Sequence, residues 1–212
     1  VFSNEVIMES YASASLSGSN ENDLFEHLNK VISSKWFLEK QGLNNEIPFF
    51  ICPFKPEYQV QMNKLIIQLI NKLDNSGVNV LMIDLFKISI EILEKRDLLE
   101  PSLSLEKNRL ISALRSVLDP QNHLIPKIKE IAMKEAFDVL FITGVGEVFP
   151  FIRSHNVLNN LQSAIKEEPT VMFFPGSYQH ELATGASLDL FGKFTDDNYY
   201  RAFNILSYEV PK

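Results

Sequence analysis

The sequence predicts a three-layer α/β sandwich around a mostly parallel sheet, and three observations predict it. Unbroken apolar runs at 49–52, 139–142 and 171–174 have the pattern of strands buried on both faces. Segments with apolar residues at helical spacing separate them, so that strands and helices alternate. Two of the runs end in glycine-bearing turns, GVG at 144–146 and PG at 175–176, where polar residues follow. The carboxyl edge of the strands in an open α/β sheet is the usual binding crevice.

Taken in order, residues 1–22 are rich in Ser, Asn and Glu without a sustained period and read as a mobile leader or a remnant. Residues 23–212 read as one α/β domain. Leu24, Leu28, Val31 and Ile32 share a helical face, with Asn22 or Asp23 as cap and Trp36 and Phe37 docking the helix. PFFICPF is the first strand, and VQMNKLIIQLINKLDNSG an amphipathic helix ending near Gly77. VNVLMIDLF is the second strand and KISIEILEKRDLL the second helix of this alternation, followed by helices across 103–118 and 124–136. DVLFITG is the third strand, with a helix from Val157 carrying Leu158, Leu161 and Ile165. PTVMFFPGSY is a fourth strand closed by a Pro-Gly turn, SLDLFGKF a fifth, and DNYYRAFNIL the last element.

At 212 residues and 45% hydrophobic content, such a chain buries a substantial core. A net charge of −7 argues against a general nucleic-acid or anionic-membrane binder, because neutralising phosphates takes concentrated Lys and Arg. Lys127, Lys129 and Lys134 do cluster on one helix, where a solvated surface is the expected reading. The single Cys52 lies in an apolar run and reads as a buried, reduced thiol of a cytosolic protein. No run reaches the roughly 18 to 20 apolar residues of a membrane span, and no basic-then-apolar leader opens the chain, so a soluble cytoplasmic protein is expected.

The chemistry-bearing residues gather around the turns. Gly144 and Gly146 free the backbone, and Arg153, His155 and Asn156 follow. An Arg–His pair beside a glycine turn suits a functional surface, whereas Asn156 suits a helix cap. The dinucleotide fingerprint G-x-G-x-x-G fails at Phe149 and Pro150, and the Walker pattern is absent. The first strand-to-helix turn holds two prolines and no glycine where a phosphate cradle would sit, so the fold resembles a P-loop hydrolase core without its Walker A loop. Four histidines without H-x-H or H-x-x-x-H spacing predict no metal site, and no cofactor is expected. Asp84 interrupts an apolar strand; a loop-amide acceptor or ion pair is expected over a catalytic base. No G-x-S-x-G elbow is present to join Cys52, Asp84 and His155 in a triad. Pro175 and Gly176 shape a second turn that presents Ser177 and Tyr178. Asp196, Asp197, Tyr199, Tyr200 and Arg201 combine aromatic, Arg and acid as protein-interface hot spots do.

GLNNEIPFFICPF, FITGVGEVFPFIRSHNVLNNLQ, TVMFFPGSY and LFGKFTDDNYYRAF together resemble the BrxB family of BREX, the bacteriophage-exclusion systems. The resemblance runs from about Leu24 to Leu206, with the segment holding HELATGA slightly longer than expected. It implies a bacterial phage-defence component working with a DNA methyltransferase, a large ATPase and the alkaline-phosphatase-like PglZ protein. It brings no catalytic residues. The expected function is a non-enzymatic adaptor, most plausibly for the PglZ-like partner, anchored by Arg153, His155, Asn156, Tyr178, Tyr199, Tyr200 and Arg201 and shaped by Gly144, Gly146, Pro175 and Gly176. The alternative is a metal-dependent enzyme on nucleotides or nucleic acid using Asp84, Glu46 or His155.

Overall fold

The computed structural model describes residues 19–41, 48–181, 185–196 and 202–211. Helix α1 (Ser19–Ile32) lays Leu24, Leu28, Val31 and Ile32 inward at helical spacing. It starts before Asn22 and Asp23, which lie inside the helix and do not cap it. The short α2 (Lys35–Leu38) is capped by Ser34, whose hydroxyl accepts from the Phe37 N–H, and buries Phe37. Strand β1 (Phe49–Phe54) leads through a tight turn at Pro56–Tyr58 into α3 (Gln59–Asp74). At the end of α3, Gly77 takes φ +80° and the Val78 N–H reaches back to Leu73, the double-bonded stop that a left-handed glycine permits.

Strand β2 (Val80–Asp84) runs directly into α4 (Leu85–Glu94). Residues Leu99–Leu103, ahead of the helix expected across 103–118, form the short α5, and Lys107–Val117 within that range form α6, with Glu106 before it. A π-turn at Pro120–Leu124 feeds α7 (Ile125–Ala132). Then come β3 (Val139–Thr143) and α8 (Ser154–Ala164). The remaining strands are β4 (Thr170–Glu181), β5 (Gly185–Leu190), β6 (Phe194–Asp196) and β7 (Phe203–Asn204).

Five strands pair in parallel in the order β2-β3-β4-β1-β7. The pleat divides their side chains between two cores. Phe49, Ile51, Leu140, Ile142, Met172 and Phe174 face one core, which α4, α6, α7 and α8 cover. Phe50, Cys52, Phe141, Val171 and Phe173 face the other, under α1 and α3. Helices on both faces of a mostly parallel sheet make the three layers that the apolar runs predict.

The fourth strand departs from expectation at Pro175 and Gly176, where no turn forms. Instead β4 continues, leaving its parallel partner at the Phe54–Pro175 pair and taking up β5 in antiparallel register from Gly176–Leu190 onward. The reason is tertiary: a Cβ on Gly176 would lie against the Asp189 carbonyl oxygen, so only glycine lets the two backbones approach there. The expected fifth strand is likewise two strands, β5 and β6, folded about Phe191 and Gly192, both at positive φ as a mirror-image hairpin turn requires. Tyr178, Leu188 and Leu190 of this ribbon join the core on the α8 side. The connections after β1 and β3 leave to opposite faces, which puts the crevice of an open α/β sheet at the carboxyl end of β4 between them. The ribbon occupies that place.

Thr170, at the start of β4, is fully buried, and its hydroxyl has no hydrogen-bond partner. Valine matches its shape without the desolvated hydroxyl, so Thr170→Val is expected to stabilise the fold by about 1 kcal/mol. Urea denaturation reads this directly; a lowered midpoint would show that the hydroxyl is satisfied in solution.

Candidate functional site

The carboxyl edge of the sheet is built around Gly144. Its φ is +74°, and a Cβ there would come within 2.7 Å of Asp84 Oδ1 and 3.0 Å of the Phe86 nitrogen. Asp84 ends β2 and caps α4, Oδ1 accepting from the Phe86 N–H at 3.0 Å and the Lys87 N–H at 3.1 Å. The loop-amide role expected for this acid is the one it has. Glu147, on the loop after β3, has its carboxyl raised above the usual range, first by burial and then by the Asp84 carboxylate, with Lys87 opposing. Among the described residues no three His, Cys, Asp or Glu side chains gather closely enough to hold a metal ion. Glu46 lies outside the described residues. Burial pushes the Cys52 thiol up to about 12, the opposite of an activated nucleophile.

From Gly144 the loop runs to Arg153 over a floor of buried Val145, Val148 and Ile152. Arg115 on α6 donates from Nε to the Pro150 carbonyl at 3.2 Å, tying the far side of the loop to the helical layer. Gly146 has no room for a side chain, because a Cβ would meet the Phe191 ring and Pro175 at 2.9 Å. β3 and β4 are neighbours, and the loop after β3 rests on the ribbon. Phe149 stands edge-on to Phe191 at 6.2 Å and lies 4.6 Å from Phe194.

Arg153 occupies the position before α8, is exposed, and makes no capping bond with its side chain. The helix begins at Ser154, three residues earlier than the apolar spacing suggests, so His155 and Asn156 lie in its first turn and not in the preceding loop. Asn156 does not cap α8; its backbone carbonyl accepts from Asn160 Nδ2 at 2.7 Å. His155 is half-buried. Ser177 is exposed, but Tyr178 does not project from the rim. It is 7% exposed, its hydroxyl donates to the Ala202 carbonyl at 2.6 Å, and burial pushes its pKa up to about 12. Tyr178 thus anchors the chain returning to β7. Asp197, Tyr199, Tyr200 and Arg201 lie outside the described residues, as does the side chain of Asp196.

Phe149, Phe174, Leu188, Phe194 and Arg153 help line a cavity of about 20 Å³ at this edge. That is room for about one water molecule. Phe149, Phe191 and Phe194, which form the aromatic part of the rim, were not among the expected site residues; GVGEVFP and LFGKF contain them without any local signal that they meet. Away from this edge, the lysine cluster is partly neutralised: Lys127 pairs with Glu91 at 3.4 Å and Lys134 with Glu130 at 2.8 Å. No helix among the described residues is long and apolar enough to cross a membrane.

The family described as "BREX protein BrxB" matches residues 81–205, which include most of β2, the rim loop and the ribbon. A BREX protein BrxB of Bacillus cereus (strain H3081.97) is 36% identical over 191 residues, 87% of this chain and 97% of that protein. One from Escherichia coli O9:H4 (strain HS) is 28% identical over 180 residues, 82% of this chain and 86% of its own. No solved structure matches the chain. A family match across the sheet edge, together with a relative aligned along nearly its whole length, places the chain in the BrxB family of BREX system components.

Proposed function

We propose that the chain is a non-enzymatic adaptor of a bacterial BREX phage-defence system, holding another BREX component against the rim formed by the 144–153 loop and the ribbon. The observation that carries this reading is the state of the sheet edge. Where an α/β enzyme keeps a crevice, this chain lays its own ribbon and leaves a cavity of about 20 Å³, while Phe194 and Arg153 at its lining stay exposed. Such an edge suits a partner's surface and not a small substrate. Arg153, His155 and Asn156 would touch the partner, with Tyr199, Tyr200 and Arg201 completing the contact. Gly144, Gly146, Pro175 and Gly176 hold the rim in shape, and Tyr178 supports it from inside. The PglZ-like protein is the first partner to test. The free, buried Cys52 supports a cytoplasmic setting.

The experiment is co-purification of the tagged chain from cells expressing the whole defence cluster, followed by pairwise calorimetry. Arg153→Ala is expected to weaken the complex by about 1 to 2 kcal/mol. The thermal midpoint should stay put, because Arg153 makes no side-chain bond to a described residue. Unchanged affinity would remove the rim from the interface. Metal-dependent turnover by the purified chain, lost in Asp84→Asn, would instead make it an enzyme.

A further inference from the structure

We propose that the segment received by this rim is acidic with an apolar anchor: a side chain of Leu or Phe type seated on Phe194, with a carboxylate beside it on Arg153. The inference rests on the adaptor reading above and adds the chemistry of what the adaptor takes.

Phe194 is 46% exposed, which is unusual for a phenylalanine in a formed strand. It also packs on other rings, with Phe149 at 4.6 Å and Phe191 edge-on to Phe149. A preformed ring face of this kind loses little side-chain freedom when an apolar group covers it. Arg153 lines the same small cavity as Phe149 and Phe194, so cation and ring belong to one patch.

Among the described residues the cation has no acidic partner. In a chain with an excess of acids, Lys40, Lys127 and Lys134 all have carboxylate partners. Neither Arg153 nor the exposed Lys193, which precedes Phe194 in the chain, forms an ion pair with a described residue. Arg153 also precedes the amino end of α8, where the helix dipole disfavours positive charge. A carboxylate arriving there relieves both and can take a bidentate bond from the guanidinium. Charge complementarity therefore selects an acidic segment.

A nucleic-acid strand also offers anions and flat apolar groups, but the patch suits it poorly. Among the described rings lining this patch only Phe194 has a widely exposed face, which gives successive bases no stacking platform there.

The test uses the full chain against each of the other proteins of the defence cluster, purified, with titrations at low and high salt. A labelled oligodeoxythymidine serves as the nucleic-acid probe. For the protein that binds, Arg153→Glu should weaken the complex about 100-fold and Phe194→Ala about 10-fold. Arg153→Lys should lose less, and the salt dependence should flatten in Arg153→Ala. Both side chains are exposed, so unchanged melting is the folding control. Binding that ignores both Arg153→Glu and Phe194→Ala would overturn this inference and leave the adaptor reading standing. Failure of every cluster protein to bind would remove both. Oligodeoxythymidine binding that is lost in Phe194→Ala would overturn it in favour of a nucleic-acid surface.

Discussion

Gly176→Ala is expected to destabilise the protein by about 3 kcal/mol and to loosen the ribbon from the rim. The added Cβ would lie against the Asp189 carbonyl oxygen and within 2.7 Å of the Phe174 ring. The first obstacle is backbone, which cannot rotate aside, so β4 and β5 must separate at the pair where the ribbon begins. Alanine's smaller unfolded-state entropy returns only about 0.4 to 1 kcal/mol, too little to offset the overlap. Gly192→Ala provides the contrast. Gly192 has φ +64° but nothing within 4 Å of a Cβ, so that change carries the left-handed strain alone, about 1 kcal/mol. Equilibrium urea denaturation of both variants separates steric from conformational cost. The Gly176 variant should also lose partner affinity, because Phe191 and Phe194 ride on the displaced strands. Equal losses for the two variants would mean that the ribbon yields cheaply and does not fix the rim.

What the chain reveals before folding follows from how local each cause is. Strands β1, β3 and β4 were legible because residues buried on both faces must all be apolar, which leaves an uninterrupted run in the sequence. The stop of α3 was legible because Gly77 is the residue that takes the left-handed cap. The continuation of β4 through Pro175 and Gly176 was not, since the local chemistry of Pro-Gly is that of a turn. A hairpin partner around Asp189 overrides it, and the Phe191 N–H bonds the Pro175 carbonyl at 3.0 Å to close the pairing. At the site, Arg153 stood out as a cation beside glycines. Tyr178 looked similar, yet its hydroxyl finds the Ala202 carbonyl 24 residues away, a pairing only the fold creates. The aromatic rim was hidden for the same reason: Phe149, on the loop after β3, and Phe194, at the start of β6, are 4.6 Å apart in space and far apart in sequence.

Above about pH 9 the protein is expected to lose stability steeply, chiefly through Cys52. The thiol is fully buried in the core under α1 and α3, and burial moves its pKa from 9.0 to about 12. Desolvation disfavours the thiolate, so the folded state keeps its proton where the unfolded state has given it up. A folded pKa above the unfolded one means that stability is complete below the unfolded value and lost as pH climbs toward the folded value. The window therefore runs from about pH 9 to 12. Each unit within it costs about 1.4 kcal/mol, so Cys52 alone removes roughly 3 kcal/mol by about pH 11. That is a large share of the roughly 5 to 15 kcal/mol typical of a folded domain. Tyr178 adds to the loss from about pH 10, because burial also raises it from 10.0 to about 12 and its ionisation would break the bond to Ala202. Cys52→Ala leaves a cavity and should be less stable at neutral pH, yet its stability should fall more gently between about pH 9 and 11. Denaturant midpoints measured across that range for both proteins give two slopes, and parallel slopes would show that Cys52 does not govern the alkaline limit of the fold.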